Sequence, residues 1–252
     1  MKLSSLPAVL ALGGLDPTGR AGLLVDASAI EHQGGRPLAV ATALTAQGQS
    51  RFSVHPVPAP TIRLQLRALS EVFKVKAIKL GMIPNLEVLR AIRAELSGRR
   101  TPWVVDPVVR TSRGQLLSTL RARDYLSLAS SEVVLTPNAL EAGWLLGQKR
   151  PVRRLEQALE VGTRLIGYGF GAVIVKGGHL TPVATDLLCL RKAALVLPGE
   201  RLPRSASRHR GTGCRFASTL AAELARGAEV AAASEAAKRS VERFLRGERA
   251  RS

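Results

Sequence analysis

The segment from Arg210 to Cys214 has the residue types of an anion-binding site beside a thiol. Two glycines flank a threonine in RGTGC, and the residues that follow have a helical pattern. Backbone N–H groups in the first turn of a helix have no intrahelical partner and lie at the positive end of the helix dipole. The segment could therefore stabilise the charge that develops during phosphoryl transfer. A plain loop-to-helix turn fits the same local sequence.

Other candidate residues follow predicted strands, where ligands bind in parallel sheets. The first strand leads into GGLDPTGRAG, which matches neither the P-loop nor the dinucleotide fingerprint. Asp106 follows the fourth strand, and Lys176 precedes paired glycines after the sixth. After the fifth strand, Thr136-Pro137-Asn138 begins a helix that carries Glu141. This stretch fits either a ligand site or a helix cap with a charged first turn.

The elements that position these residues alternate between short apolar runs and helical patterns, which is typical of a mainly parallel sheet buried on both faces. The predicted strands are Ala8–Leu12, Leu38–Leu44, Ala77–Leu80, Trp103–Val105, Val133–Leu135 and Ala172–Val175, followed by an antiparallel pair, Asp186–Leu190 and Ala194–Leu197. The predicted helices are Ala21–Gln33, Thr61–Phe73, Leu86–Leu96, Ala139–Leu146, Leu155–Tyr168, Gly213–Ala225 and Val230–Leu245. The alternation predicts a single α/β domain over residues 1–252, a three-layer α/β/α sandwich. A closed eight-stranded α/β barrel also fits the length of the chain, but it needs a more regular count of strand–helix units than the sequence shows.

Composition narrows the class of protein. The chain has 252 residues, 46% of them hydrophobic, and lacks a run of 18 apolar residues, so we expect neither a membrane span nor a signal peptide. Two cysteines are too few for a disulfide framework, which favours a cytoplasmic location. The formal charge of +18 attracts anions, but its arginines are scattered and aromatic residues make up only 4%. That pattern disfavours a nucleic-acid-binding face.

The order of the motifs resembles that of the hydroxymethylpyrimidine/phosphomethylpyrimidine kinases of thiamine biosynthesis, in the ribokinase-like superfamily. In chain order these motifs are GGLDPTGRAGLLVDASAI, TALTAQ, DPV, TPNALEAGWLLG, VKGGH, TDLL and GTGC. The resemblance covers about Val9 to Arg243 and implies a homodimeric, ATP- and magnesium-dependent kinase of hydroxymethylpyrimidine, its monophosphate, or both. Pyridoxal kinases share the TPN and GTGC motifs, so a pyridoxal or pyridoxine kinase is one alternative. A non-catalytic ligand- or nucleic-acid-binding protein on a kinase scaffold is another.

The resemblance also implies roles for individual residues. Those expected to contact the pyrimidine are Gly14, Ala21, Asp26, Thr45, Gln47, Met82 and Val108. Those expected near the ATP phosphates are Asp106, Asn138 and Lys176. Asp26 would accept a hydrogen bond from the exocyclic amino group, and Gln47 would pair with ring atoms. Asn138 and Glu141 would organise magnesium through water molecules.

The GTGC motif would carry the phosphoryl transfer. The residues expected to form the anion hole for the γ-phosphoryl group are Gly211, Thr212 and Gly213. Cys214 would be the base, and we expect the helix start and the neighbouring Arg210 and Arg215 to lower its pKa. The second phosphorylation begins from an ionised phosphate oxygen, so Cys214 should matter more for the first.

Two arginines depart from the family pattern. Arg20 stands where small residues are common, and Arg210 stands where a histidine is common. We expect Arg20 beside the pyrimidine pocket, where it would narrow the site or favour a phosphorylated substrate. We expect Arg210 to donate hydrogen bonds beside the triphosphate.

Overall fold

The computed structural model describes residues 6–98, 100–148, 152–178, 185–199 and 210–247. The strands are β1 (Ala8–Leu15), β2 (Arg36–Gln47), β3 (Phe52–Pro56), β4 (Val75–Leu80), β5 (Trp103–Val105), β6 (Val133–Leu135), β7 (Ala172–Val175), β8 (Asp186–Leu190) and β9 (Ala194–Leu197). The helices are α1 (Leu23–His32), α2 (Ala59–Val72), α3 (Leu86–Leu96), α4 (Ala122–Leu126), α5 (Ala139–Leu145), α6 (Leu155–Ile166), α7 (Thr212–Ala225) and α8 (Val230–Leu245). None of the helices in these ranges combines the length and apolarity needed to cross a bilayer.

Within the described ranges, the strands form one sheet in the order β3-β2-β1-β4-β5-β6-β7-β8-β9. The strands from β2 through β1 and β4 to β7 pair in parallel, whereas β3, β8 and β9 pair antiparallel. After β2 and β3 the chain crosses to the other side of β1 and continues as β4. The carboxyl ends of β1 and β4 therefore border a switch point, where ligand-binding crevices form in such sheets.

Helices cover both faces of the sheet because alternate strand residues point in opposite directions. In β1, Leu10 and Leu12 pack in the core that includes residues of α2 to α6. Val9 and Ala11 pack in a second core with α1, α7 and α8. The three-layer α/β/α fold is thus confirmed. The barrel alternative is wrong, because β3 and β9 end the sheet as described instead of pairing with each other.

Some predicted boundaries near the crevice are wrong. Gly13 and Gly14 belong to β1, where they pair with Ala41 and Ala43 of β2, although they were expected in a turn. Helix α1 starts at Leu23 instead of at the expected Ala21. Strand β3 and the short helix α4 were not expected at all. The two strand differences arise because pairing with β2 supports residues whose local preference is for turns.

Candidate active site

A cavity of about 200 Å³ lies at the carboxyl ends of the parallel strands, beside the start of α7. Every site residue expected from the sequence lines this cavity: Gly14, Ala21, Asp26, Thr45, Gln47, Met82, Asp106, Val108, Asn138, Glu141, Lys176, Gly211, Thr212, Gly213 and Cys214. The cavity is also lined by residues that the sequence did not single out, including Asp16, Lys79 and Arg110. Segments far apart in sequence therefore converge on one site.

The start of α7 forms one wall of the cavity. Its N-cap, Gly211, has a left-handed backbone with φ of 82°. A Cβ atom added there would lie 2.5 Å from the Arg20 carbonyl oxygen, so both conformation and space require glycine. The first intrahelical bond runs from the Arg215 N–H to the Gly211 oxygen at 2.9 Å. The N–H groups before Arg215 have no intrahelical acceptor, which makes this wall suited to an anion.

A largely buried cation, Lys176, lies against this helix start. Lys176 Nζ is 2.7 Å from Asp106 Oδ1. A Cβ atom added to Gly213 would lie 3.3 Å from Lys176 Nζ and 3.4 Å from Asp106 Oδ2, so the glycine allows this close approach. Burial disfavours the ammonium, but the charges of Asp106 and Glu141 hold the pKa of Lys176 above its ordinary value. Lys176 therefore stays cationic beside the anion-binding wall.

Asn138 and Glu141 form the helix cap that was one of the two interpretations of this stretch. Asn138 Oδ1 accepts from the N–H groups of Leu140 and Glu141 at 2.9 and 3.0 Å. Glu141 Oε2 accepts from the Asn138 N–H at 2.8 Å, which completes a capping box. Burial raises the pKa of Glu141 to about 7, with Lys176 opposing the shift and Asp106 adding to it. The cap thus also brings a carboxyl group that titrates near neutrality into the cavity.

Beneath the cavity lies a buried ion pair that the sequence interpretation missed. Lys79 Nζ is 2.8 Å from both carboxylate oxygens of Asp26, and Ser218 Oγ donates to Asp26 Oδ1 at 2.8 Å. Lys79 and Asp26 are 1% and 0% exposed. Asp26 is therefore already satisfied by protein donors, which argues against its expected contact with the amino group of a pyrimidine. The sequence did contain a signal for this ion pair: Lys79 stands inside the apolar run AIKL, and a charge buried in a strand needs a partner of opposite charge.

The expected lowering of the thiol pKa of Cys214 is wrong. Burial raises the pKa of Cys214 to about 11; the charge of Lys79 opposes the shift, while Asp26 and Asp106 add to it. The guanidinium of Arg215 instead lies over the Phe244 ring, 4.5 Å from its centroid. In the free protein, Cys214 is therefore a neutral thiol at physiological pH.

The opposite end of the cavity is a narrow slot with an apolar wall and a polar edge. Met82 belongs to a small buried cluster against which Val108 packs. A Cβ atom added to Gly14 would lie 3.3 Å from Met82 Sδ, so the glycine keeps the slot open. At the edge, Gln47 Nε2 donates to Thr45 Oγ1 at 3.1 Å. An apolar slot with a few polar groups suits a flat heteroaromatic ring.

Arg210 lies at this slot, and its expected donation to the triphosphate stays a prediction. Its guanidinium donates to Gln47 Oε1 and lies 3.5 Å from Asp16 Oδ2. Asp16 is 1% exposed, and its Oδ2 accepts no hydrogen bond from any residue that the structure describes. Arg20 is exposed and lines a neighbouring cavity that also contacts Gln47. Both arginines thus lie near the slot end of the cavity.

Comparison with known proteins places the chain in a family. The model of the phosphomethylpyrimidine kinase family matches residues 16–251. The chain belongs to the phosphomethylpyrimidine kinase family. The hydroxymethylpyrimidine/phosphomethylpyrimidine kinase of Aquifex aeolicus is 31% identical over 234 residues, which cover 91% of this chain and 90% of that protein. Family membership identifies the chain as a phosphotransferase.

Solved structures of related kinases have the same fold. An ADP complex of Bacillus subtilis pyridoxal kinase superposes with a TM-score of 0.84 at 27% identity, covering 93% of this chain and 90% of the other. Phosphomethylpyrimidine kinase from Clostridium difficile 630 superposes with a TM-score of 0.79 at 25% identity, covering 96% and 100%. The ribokinase-like fold expected from the family resemblance is confirmed.

Proposed function

We propose that this protein transfers the γ-phosphoryl group of ATP to 4-amino-5-hydroxymethyl-2-methylpyrimidine, to its monophosphate, or to both in turn. The observation that carries the proposal is the meeting of two kinds of surface in one cavity. A helix start with a largely buried lysine forms one part of its lining, and the apolar slot with its polar edge forms another. Family membership supports the same substrate class.

At the nucleotide end, Lys176 and the first N–H groups of α7 would hold the phosphates. The carboxyl groups of Asp106 and Glu141 would face a hydrated magnesium ion, with Asn138 positioned by the helix cap. This donor set fits magnesium bound mainly by phosphate and water, because no group of three or more histidine, cysteine or acidic side chains in the described ranges could hold a metal. When bound, magnesium would neutralise charge on the phosphates.

At the transfer point, the hydroxymethyl oxygen would bond to the γ-phosphorus while the bond from that phosphorus to the bridging oxygen of ADP breaks. The hydroxyl proton would pass to the Cys214 thiolate. N–H groups of the segment from Gly211 to Gly213 would stabilise the charge on the transferring group. For the monophosphate, the attacking oxygen is already ionised, so that step needs no base.

A substrate panel with ADP release as the readout tests this proposal. Hydroxymethylpyrimidine or its monophosphate should support turnover with ATP and magnesium, and pyridoxal and pyridoxine should support little. Turnover with pyridoxal alone would instead favour a vitamin B6 kinase, an alternative suggested by the similarity to a pyridoxal kinase structure. No turnover with any of these compounds would favour the non-catalytic alternative.

The proposal includes a cytoplasmic homodimer, the state implied by the family resemblance. Light scattering coupled to size-exclusion chromatography should give twice the mass of one chain. A monomeric mass in the active protein would remove the dimer from the proposal and leave the chemistry unchanged.

A further inference from the structure

A second cavity of about 430 Å³ opens beside the active-site cavity and shares Gln47, Ser112 and Arg210 with it. We name it the rim cavity; its lining residues are Thr18, Arg20, Gln47, Gly48, Gln49, Ser112, Arg113 and Arg210. Three of these described residues are arginines and none is acidic. The rim cavity therefore concentrates positive charge next to the ring-binding slot.

The charge of the rim cavity is poorly compensated within the described part of the chain. There, the Arg20 guanidinium has no hydrogen-bond or ion-pair partner, and the Arg113 guanidinium donates only to the Gly48 carbonyl at 3.4 Å. Arg210 has a carboxylate nearby, Asp16, at 3.5 Å. Guanidinium groups match the geometry of phosphate oxygens with paired N–H donors. The rim cavity thus has the donors and the charge of a phosphate site.

Arg210 links this charge to recognition of the substrate ring. Both ends of the Gln47 amide have protein partners, because Nε2 donates to Thr45 and Oε1 accepts from Arg210. The Arg210 guanidinium also faces the otherwise unbonded Asp16 Oδ2. The exocyclic amino group of a 4-aminopyrimidine, like a guanidinium, donates N–H hydrogen bonds to amide and carboxylate oxygens. Arg210 therefore occupies one acceptor position of the Gln47 oxygen and faces Asp16 Oδ2, so it competes with an aminopyrimidine for these acceptors.

We propose that the rim cavity binds a phosphate oxyanion through Arg20, Arg113 and Arg210, and that this anion draws Arg210 away from Gln47 and so strengthens pyrimidine binding. The coupling rests on the proposed function, since it requires a pyrimidine in the slot. Because linkage is reciprocal, the pyrimidine must strengthen phosphate binding by the same factor. The phosphate can be free, or it can belong to the phosphorylated substrate in a binding pose that precedes transfer, because transfer itself requires an oxygen of that phosphate at the γ-phosphorus of ATP.

Calorimetric titration of hydroxymethylpyrimidine into the full-length protein tests the coupling, with and without millimolar inorganic phosphate at constant ionic strength. Phosphate should tighten binding by about fivefold or more in the wild type, the lower end of typical coupling. The double variant Arg20→Gln/Arg113→Gln should lose this response. The matched control Arg90→Gln, which changes an exposed arginine on α3, should keep it. Arg210→Gln should bind the pyrimidine more tightly than the wild type in the absence of phosphate.

A second titration with the pyrimidine monophosphate, without free phosphate, identifies the source of the oxyanion. If the substrate supplies it, the double variant should bind the monophosphate more weakly than the wild type does, and free phosphate should not affect hydroxymethylpyrimidine binding.

Equal phosphate responses and equal monophosphate affinities in the wild type and the double variant would overturn the proposal. If no protein binds any pyrimidine, the proposed function fails instead. Titration with phosphate alone then still tests the site: binding that the double variant loses supports it, and equal binding refutes it.

Discussion

Among single residues, Cys214 is the one that we expect to determine the pH dependence of the first phosphorylation. Its thiol has a pKa of about 11 in the free protein, so only a small fraction is thiolate at neutral pH. If the thiolate is the base, kcat/KM for hydroxymethylpyrimidine should rise by about tenfold per unit between about pH 8 and pH 10, because this parameter reports ionisation of the free enzyme. Glu141 has a pKa of about 7 and is therefore already ionised in this interval, so its titration should not add to the rise in kcat/KM.

The variant Cys214→Ala should lose this rise and should show a kcat for the first phosphorylation lower by about 10²-fold, the usual contribution of a general base. Its affinity for ATP should be unchanged, because the thiol is not among the groups that we assign to the phosphates. Steady-state kinetics over the pH range and ATP titration would check both points. An unchanged pH profile in the variant would remove Cys214 as the base.

Gly213 should be intolerant of a single added carbon. In Gly213→Ala the new Cβ would lie 3.3 Å from Lys176 Nζ and displace that ammonium from the phosphates. We expect kcat/KM for ATP to fall by roughly 10- to 100-fold, since small misplacements of catalytic groups have effects of this size. Gly178→Ala, where an added Cβ has no neighbour within 4 Å among the residues that the structure describes, is the control and should behave like the wild type. Similar kinetics of the two variants would contradict this role for Gly213.

The sequence predicts those site residues that stand in contiguous motifs, such as Asp106 and the segment from Gly211 to Cys214. It fails where the role depends on a partner distant along the chain. Asp26 pairs with Lys79 across 53 positions, and Arg210 reaches Gln47 across 163. Spacing within a motif contains no information about such contacts or about burial, so these partners and the raised pKa of Cys214 could not be predicted from the sequence.

Among the secondary-structure elements, α7 depends on the glycine that starts it. Gly211→Ala should lower the free energy of unfolding by more than the roughly 1 kcal/mol of left-handed strain, because the new Cβ also approaches the Arg20 carbonyl within 2.5 Å. Gly227→Ala, just past the other end of the same helix, is the matched control: φ is 89° and the space around it is open. Urea denaturation would compare them. Equal destabilisation of the two variants would show that the approach to the Arg20 carbonyl adds nothing to the loss of stability in Gly211→Ala.

The Lys79–Asp26–Ser218 contacts join β4, α1 and α7 below the site. Lys79→Met should reduce the free energy of unfolding by about 3–5 kcal/mol, because it leaves a carboxylate buried without its counter-charge. The double variant Lys79→Met/Asp26→Leu should recover much of the loss, and Lys76→Met, at an exposed position of β4, should have little effect. Urea denaturation measures all three. A double variant no more stable than Lys79→Met would contradict the electrostatic origin of the loss.

The order of the main elements could be predicted because each has a clear apolar period. Strands β5, β6 and β7 lie where the apolar runs indicated them. Strand β3 could not be predicted, because it is mostly half-exposed at the sheet edge and is defined by pairing with β2. Helix α4 has only five residues, too few for a helical period to be visible in the sequence.

For the whole molecule, the formal charge of +18 should assist binding of ATP more than binding of the neutral pyrimidine. Raising the ionic strength with potassium chloride should therefore increase KM for ATP while KM for hydroxymethylpyrimidine stays nearly constant, because salt screens interactions between exposed charges. Initial rates over a salt series would check this. Parallel changes in both KM values would show that salt acts on the protein as a whole.

The central claim is that this cavity phosphorylates a hydroxymethylpyrimidine. The most direct measurement is the mass-spectrometric identification of products from purified protein, ATP, magnesium and hydroxymethylpyrimidine over time. We predict a pyrimidine that gains one phosphoryl group, or two in succession, in step with ADP, and a Cys214→Ala variant that is slowest at the first addition. An unmodified pyrimidine in a reaction where pyridoxal becomes phosphorylated, or where ATP stays intact, would contradict the account.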